Sequence, residues 1–177
     1  MARIVNEQRR ALSGWVTLVT RTVEDERGSR VFHSLSQADY VSVLALTSDG
    51  RIPLVQQYRP AIQGVSLELP GGLIDSGERP EVVAGRELKE ETGFEVSGKP
   101  ILLGCLQPDT GRLENRFWGY LAKASAVPDW RPEAGVERVM LTLRELQAAV
   151  LEGKFDHALH IALIGLAVLR GHLAWKM

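Results

Sequence analysis

The sequence has few of the residues from which disulfide-stapled and zinc-binding proteins are built. Its 177 residues include one cysteine, Cys105, so neither an internal disulfide nor a cysteine-rich metal site can form. Cys105 lies in the apolar run 101–106, where we expect a small buried thiol. A chain of this length buries roughly 70% of its unfolded surface, so a hydrophobic core can stabilise the fold without cross-links.

Long hydrophobic runs and an excess of one charge are also missing. The most apolar stretch, 161–169, is too short to span a bilayer and is flanked by His160 and Arg170, which favours a buried helix. The polar start of the chain does not resemble a signal peptide. The 21 basic and 22 acidic residues give a net charge of −1, which indicates no basic surface for nucleic acid. We therefore expect a cytoplasmic protein without nucleic-acid or membrane partners.

Hydrophobic patterns predict strands interleaved with helices. Strands are expected at 15–23, 29–36, 40–47, 51–58, 65–69, 101–107, 116–122 and 136–141, and helices at 80–92, 143–152 and 156–173. The polar turn 24–28 joins the first two strands into an N-terminal antiparallel hairpin. We predict an α+β fold, an α/β/α sandwich, with residues 1–38 forming the hairpin unit and residues 39–177 the main domain.

Three glutamates stand on one side of the predicted helix 80–92. Glu87, Glu90 and Glu91 are spaced i, i+3 and i+4, where like charges repel by a few tenths of a kcal/mol per pair, on the order of the usual helix-pair energies. Carboxylate oxygens are the ligands that Mg²⁺ and Mn²⁺ prefer. Taken alone, however, the cluster is more typical of a solvated acidic surface balanced by Arg86 and Lys89.

The residues around this cluster change its interpretation. They follow the pattern G-x5-E-x7-R-E-U-x-E-E-x-G-U, with U apolar, through Gly72, Glu78, Arg86, Glu87, Leu88, Glu90, Glu91, Gly93 and Phe94. Average residue usage gives such a match by chance on the order of once per billion start positions. The pattern is the Nudix box, and the sequence resembles the Nudix hydrolase superfamily. This resemblance implies a Nudix fold with a mixed sheet in residues 39–177.

The resemblance also implies a metal site. Its metal ligands would be Glu87, Glu90 and Glu91 with the carbonyl of Gly71, holding Mg²⁺ or Mn²⁺, and Glu87 and Glu91 would act in catalysis. Arg86 and Glu78 would orient these acids, although a plain surface ion pair is the alternative. Metal ions of this kind polarise phosphoryl oxygens and activate a water that attacks phosphorus.

Segments outside the box resemble one branch of that superfamily. Residues 57–60 (QYRP), residues 67–72 (LELPGG) and Pro108 are similar to the ADP-ribose pyrophosphatase and nucleoside-diphosphate-sugar hydrolase branch. The charged loop 109–116 departs from the small, glycine-rich loop usual there. We therefore predict metal-dependent hydrolysis of ADP-ribose or a related nucleoside diphosphate sugar to a nucleoside monophosphate and a sugar phosphate. The alternatives are hydrolysis of a dinucleoside polyphosphate, coenzyme A or an oxidised nucleoside triphosphate, and a sensor that binds a nucleotide without cleaving it.

Four residues are candidates for contact with the substrate. Arg59 has the planar fork that suits phosphate oxygens. Glu68 either accepts hydrogen bonds from a ribose or base or caps the loop that follows it. Glu114 either acts near the metals or is a turn acid. Trp15 either stacks on the base or packs in the core, the commoner use of such a residue.

The resemblance further implies a general base on a downstream loop and a dimer. Glu133 lies in the polar loop 128–135 and is our choice of base, with Glu137 and Glu114 as alternatives. Enzymes of the resembling branch exchange their N-terminal sheet between two subunits, which predicts a homodimer through residues 1–38. His157 and His160 are expected to be solvated or core histidines rather than ligands.

Overall fold

The computed structural model describes residues 1–175, so positions 176 and 177 of the predicted main domain lie outside the described residues. The described residues form ten strands: β1 Arg3–Ala11, β2 Thr17–Asp25, β3 Gly28–Ser36, β4 Tyr40–Thr47, β5 Arg51–Arg59, β6 Gly64–Glu68, β7 Gly71–Leu73, β8 Phe94–Leu106, β9 Phe117–Ala126 and β10 Val136–Thr142. The described helices are α1 Pro80–Thr92, α2 Leu143–Leu151 and α3 Ala158–Leu169.

Two sheets form the centre of the main domain. One has the strand order β7-β4-β9-β8, in which β4 and β9 are parallel and the other pairs antiparallel. The other is antiparallel, with the order β10-β5-β6. Successive side chains of a strand point to opposite faces of its sheet, and β4 follows this rule. Val41 and Val43 pack with α1, whereas Leu44 joins the core that includes α3. Helices thus cover both faces, as the predicted α/β/α sandwich requires.

The N-terminal unit is a separate antiparallel sheet with the order β1-β2-β3. The predicted hairpin corresponds to β2 and β3, which pair from Thr17 with Ser36 to Asp25 with Gly28. Strand β1 was not predicted because its sequence is mostly polar and all of its residues are exposed. Backbone hydrogen bonds join this sheet to the charged loop 109–116: Leu35 N donates to the Arg112 carbonyl at 2.7 Å, and Glu114 N donates to the Leu35 carbonyl at 3.0 Å.

Strand β8 shows where the sequence patterns gave an incomplete or wrong result. It begins at Phe94, seven residues before the predicted strand, and it lies at the edge of its sheet. The prediction of a buried thiol was wrong: Cys105 is exposed, while Leu103 points into the core. Residues two apart share a face in a regular strand, but the register of β8 against β9 shifts between Leu102 and Gly104 and interrupts this alternation, so the apolar run alone did not indicate which side chains are buried.

Within residues 1–175, no helix has both the length and the apolar character that crossing a bilayer requires.

Candidate functional site

Helix α1 carries the acidic cluster and ends beside the loop 127–135. Its predicted bounds are confirmed: Pro80 opens the first turn, and Gly93 ends the helix in the left-handed conformation with φ 71°. A side chain at Gly93 would overlap the ring of Trp130. Gly93 is therefore required both by its backbone conformation and by the close approach of this loop.

The two most buried acids of α1 face the glycine loop, by which we mean residues 68–72, from the end of β6 into the start of β7. Glu91 has 7% of its surface exposed, and its Oε2 accepts a hydrogen bond from Gly71 N at 2.9 Å. A Cβ atom at Gly72 would overlap the Oε1 of Glu87. Glu90 is exposed, one turn of the same helix after Arg86. The three predicted metal ligands of α1 thus lie together, with Glu87 and Glu91 closest to the loop.

Arg86 connects the acids of the box. Its Nη1 lies 3.0 Å from Oε1 of Glu87 and 3.0 Å from Oε2 of Glu90, and its Nη2 lies 3.8 Å from Glu78. Glu78 in turn accepts a hydrogen bond from Asp75 N at 3.2 Å. This arrangement holds crowded carboxylates at fixed positions, as expected of residues that orient metal ligands.

The site disfavours negative charge in the absence of a cation. Burial, with repulsion from Glu87 and Glu133, raises the pKa of Glu91 to about 7, although its hydrogen bond from Gly71 opposes the shift. Burial also raises the pKa of Glu87, and Glu90 and Glu133 add to this effect. A hard divalent cation would relieve both costs, so these donors fit Mg²⁺ or Mn²⁺.

This raised pKa predicts a pH dependence of stability in metal-free protein. The folded-state pKa of Glu91, about 7, lies above its ordinary value of 4.5, so between these pH values the native state holds a proton that the unfolded state has lost. The free energy of unfolding should therefore fall as pH rises from about 4.5 to about 7, by an amount on the order of 3 kcal/mol. Urea unfolding in EDTA at pH 5 and pH 8 measures it.

The control for this measurement is the Glu91→Gln variant, in which the titrating group is removed and other carboxylates are unchanged. As pH rises, the free energy of unfolding of the wild type should fall relative to that of the Glu91→Gln variant. A pH-independent difference would contradict the raised pKa.

Arg59 and Glu68 form a bidentate ion pair near this cluster. Nε and Nη2 of Arg59 donate to the two carboxylate oxygens of Glu68 at 2.8 and 2.6 Å. Burial alone would raise the pKa of Glu68, which is 4% exposed, but the hydrogen bonds and charge of Arg59 outweigh it and keep this pKa low. Arg59 also lowers the pKa of Glu91, so its charge reaches the acidic cluster. Glu68 thus fixes the direction of the guanidinium.

The structure brings Glu133 to the acidic cluster, while Glu114 and Trp15 belong to other surroundings. Glu133 affects the pKa of both buried acids of α1 from the loop 127–135. Glu114 forms ion pairs with Arg9 and Arg21 of the N-terminal sheet. Trp15 is 72% exposed, so the alternative of core packing was wrong. Contact of these residues with a substrate stays a prediction.

Trp130 and Arg138, which the sequence analysis missed, attach the loop 127–135 to the end of α1. Trp130 Nε1 donates to the Glu90 carbonyl at 3.0 Å, and Arg138 Nη1 donates to the Thr92 carbonyl at 2.8 Å. The Arg138 guanidinium lies 4.7 Å from the Trp130 ring centroid, in a cation–π contact. These bonds satisfy carbonyls at the helix end and hold the loop that carries Glu133 beside the acids. The sequence signal that could have indicated this contact is a tryptophan within an otherwise polar loop.

The chain matches the NUDIX domain family over residues 37–161. It is 32% identical over 151 residues to an ADP-ribose pyrophosphatase of Mycobacterium tuberculosis, covering 82% of this chain and 67% of that protein. It is 46% identical over 54 residues to an ADP-ribose pyrophosphatase of Bacillus subtilis, covering 30% of this chain and 29% of that protein.

A solved structure described as an ADP compounds hydrolase superposes with a TM-score of 0.81 at 22% identity, covering 97% of this chain and 95% of that one. This similarity shows the shared fold. Together with the family match over most of the chain, it confirms the Nudix fold predicted from the box. The chain belongs to the NUDIX domain family.

Proposed function

We propose that this protein hydrolyses the diphosphate bond of a nucleoside diphosphate sugar, ADP-ribose or a close relative, with Mg²⁺ or Mn²⁺ as cofactor. The observation that carries the proposal is the juxtaposition of Glu87 and Glu91 with the glycine loop, close to the guanidinium of Arg59. Acids with raised pKa values provide a cation site, and a fixed guanidinium provides a phosphate site. A diphosphate bound to the cation and to Arg59 would span the two sites.

The residues of the chain would perform separate tasks in this reaction. Glu87, Glu90 and Glu91, with the carbonyl of Gly71, would hold the metal, which when bound neutralises charge on the phosphoryl oxygens. Arg59, directed by Glu68, would hold a phosphoryl group of the substrate. A water molecule attacks one phosphorus, the bridging P–O bond breaks, and the water proton passes to the carboxylate of Glu133. The products are a nucleoside monophosphate and a sugar phosphate.

The names of the relatives support an adenosine diphosphate compound as substrate. A purified-protein assay with Mg²⁺ should compare ADP-ribose, ADP-glucose, GDP-mannose and UDP-glucose with a dinucleoside polyphosphate, coenzyme A and nucleoside triphosphates. The proposal predicts the highest kcat/KM among the diphosphate sugars. Preferred turnover of another compound would overturn the proposed substrate class, and tight nucleotide binding without any turnover would indicate a sensor.

Replacement of Arg59 by lysine should lower kcat/KM for the diphosphate sugar by about tenfold to a hundredfold, because lysine keeps the charge but loses the planar guanidinium that Glu68 orients. Steady-state kinetics measures this loss. The matched control is Arg51→Lys at the other end of β5, where the arginine is exposed and pairs with Asp49. Equal kinetics for the two variants would contradict a phosphate-binding role of Arg59.

We also propose that residues 1–38 form a unit through which two copies of the chain pair. Support comes from the exposed apolar side chains that this sheet carries: Ile4, Val5, Trp15, Val31 and Phe32. Pairing of two copies would remove exposed apolar side chains of this unit from water, which favours association. In such a dimer Trp15 and Glu114 would be available to contact the nucleotide. We propose a cytoplasmic location for the protein. Light scattering should give twice the mass of the chain, and a monomer at micromolar concentration would overturn the proposed pairing.

A further inference from the structure

We propose that His160 is a positioning residue of the candidate metal site, holding the loop 68–72 in the shape in which Gly71 and Glu91 meet. The inference rests on the proposed function, because it assigns a purpose to the metal-binding shape of that loop. His160 lies in α3, 91 residues after Leu69 in the sequence, and 4% of its surface is exposed. Neither the Nudix box nor its flanking segments include it.

Both ring nitrogens of His160 are used. Nδ1 accepts a hydrogen bond from Leu69 N at 3.1 Å, so the ring proton belongs on Nε2. Nε2 lies 2.9 Å from the Ser42 hydroxyl and donates to it. Burial, assisted by the neighbouring His157, lowers the pKa of His160 to about 3, so the ring remains neutral and keeps one donor and one acceptor. One side chain thus joins α3 to both β4 and the loop.

The two partners of His160 lie next to the residues that form the site. Ser42 pairs with Gly71 across β4 and β7, and Leu69 precedes Gly71 by two positions. The Pro70 carbonyl accepts from Val43 N at 3.0 Å, and Gly71 N donates to Glu91. The loop is therefore attached at three successive points, of which His160 supplies the first. Without His160 the Leu69 N–H loses its partner, and an unpaired buried donor favours rearrangement of the loop.

A second metal site is the rival use of this histidine. Glu68, His157 and His160 each offer a ligand atom within 4.8 Å of the others. However, both oxygens of Glu68 already bind Arg59, and both ring nitrogens of His160 already have partners. A metal ion would have to break these bonds. The positioning role uses the hydrogen bonds as they stand, so the geometry favours it.

The experiment measures Mn²⁺ binding by electron paramagnetic resonance, without substrate, at a temperature where circular dichroism shows each variant folded. His160→Leu should raise the Kd for Mn²⁺ by about tenfold or more, as removal of a group that orients metal ligands does. His160→Asn should recover most of the affinity, because its Oδ1 can replace Nδ1 as acceptor for Leu69 N. His160→Gln, which offers an amide near the position of Nε2, should recover less.

The control is Leu163→Ala in the same helix. Leu163 is fully buried and packs against Gly119, so its truncation lowers stability without removing a hydrogen bond of the loop. Its Kd for Mn²⁺ should equal that of the wild type. An effect of Leu163→Ala equal to that of His160→Leu would reduce His160 to a general packing role and overturn the inference.

Amide hydrogen exchange in EDTA separates this inference from the proposed function. Exchange at residues 69–72 should accelerate in His160→Leu and remain slow in His160→Asn. Wild-type protein that binds no Mn²⁺ would overturn the proposed metal site and the inference together. Normal Mn²⁺ binding by His160→Leu, or unchanged exchange, would overturn the inference alone. Tight Zn²⁺ binding lost in the His160 variants, with Mn²⁺ binding retained, would establish the rival metal site.

Discussion

Replacing Glu91 with glutamine is expected to reduce kcat for diphosphate hydrolysis by about a thousandfold, the size expected when charge stabilisation at the reacting group is lost. The fold should persist, because the glutamine Oε1 can still accept the hydrogen bond from Gly71 N. The variant removes a carboxylate whose raised pKa makes its charged form costly. Its metal-free form should therefore be at least as stable as the wild type at pH 8.

Steady-state kinetics and urea unfolding test these two results together. The matched control is Glu81→Gln, which changes a partly exposed acid in the first turn of the same helix, where Glu81 pairs with Arg79. That variant should retain nearly full activity. Turnover by Glu91→Gln at more than a tenth of the wild-type rate would contradict the assignment of Glu91 to the metal, since an amide is a much weaker ligand than a carboxylate.

The Gly72→Ala variant is expected to lose about tenfold to a hundredfold in metal affinity, with a corresponding loss of activity at limiting Mg²⁺. The added methyl group would overlap the carboxylate of Glu87, which is the movable end of a flexible side chain. Displacement of this carboxylate should affect the metal site more than the fold. The Mg²⁺ concentration that gives half-maximal activity measures the effect.

Two glycine variants serve as comparisons. At Gly71 the added methyl would overlap the backbone carbonyl of Val41, so Gly71→Ala should reduce stability as well as activity. Gly85 lies within α1 and has room for a methyl group 3.8 Å from Val96, so Gly85→Ala should stabilise the helix by about 0.5–1 kcal/mol. If Gly72→Ala and Gly85→Ala reach half-maximal activity at the same Mg²⁺ concentration, the close approach of Gly72 to Glu87 is contradicted.

Features that depend on residues close together in the sequence were predicted, whereas features that depend on contacts between distant segments were not. The bounds of α1 were predicted because Pro80 and Gly93 are local signals at its two ends. The acids of the site share one helix, so their spacing alone placed them on one side. Strand β1 was missed because a fully exposed strand has no alternation of apolar residues, and it forms only by pairing with β2.

Contacts between distant segments could not be read from the sequence in the same way. The strand register places Glu68 opposite Val55, and the Arg59 side chain reaches it from four residues farther along β5, which gives Glu68 a partner that neither sequence-based alternative included. The bond from Leu69 to His160 spans the chain from the loop to α3, and no local pattern indicates it. The ion pairs of Glu114 join distant segments as well: Arg9 lies in β1, which was not predicted, and Arg21 lies in β2, 93 residues before Glu114 in the sequence.

The most direct test of the account is incubation of the purified protein with ADP-ribose and Mg²⁺ in H₂¹⁸O, followed by mass spectrometry of the products. We predict AMP and ribose 5-phosphate, with one ¹⁸O atom in the phosphate of one product, and no reaction in EDTA. Equal product formation in EDTA would contradict a metal-dependent site built on Glu87 and Glu91. The absence of ¹⁸O from both phosphates would contradict attack of water on phosphorus.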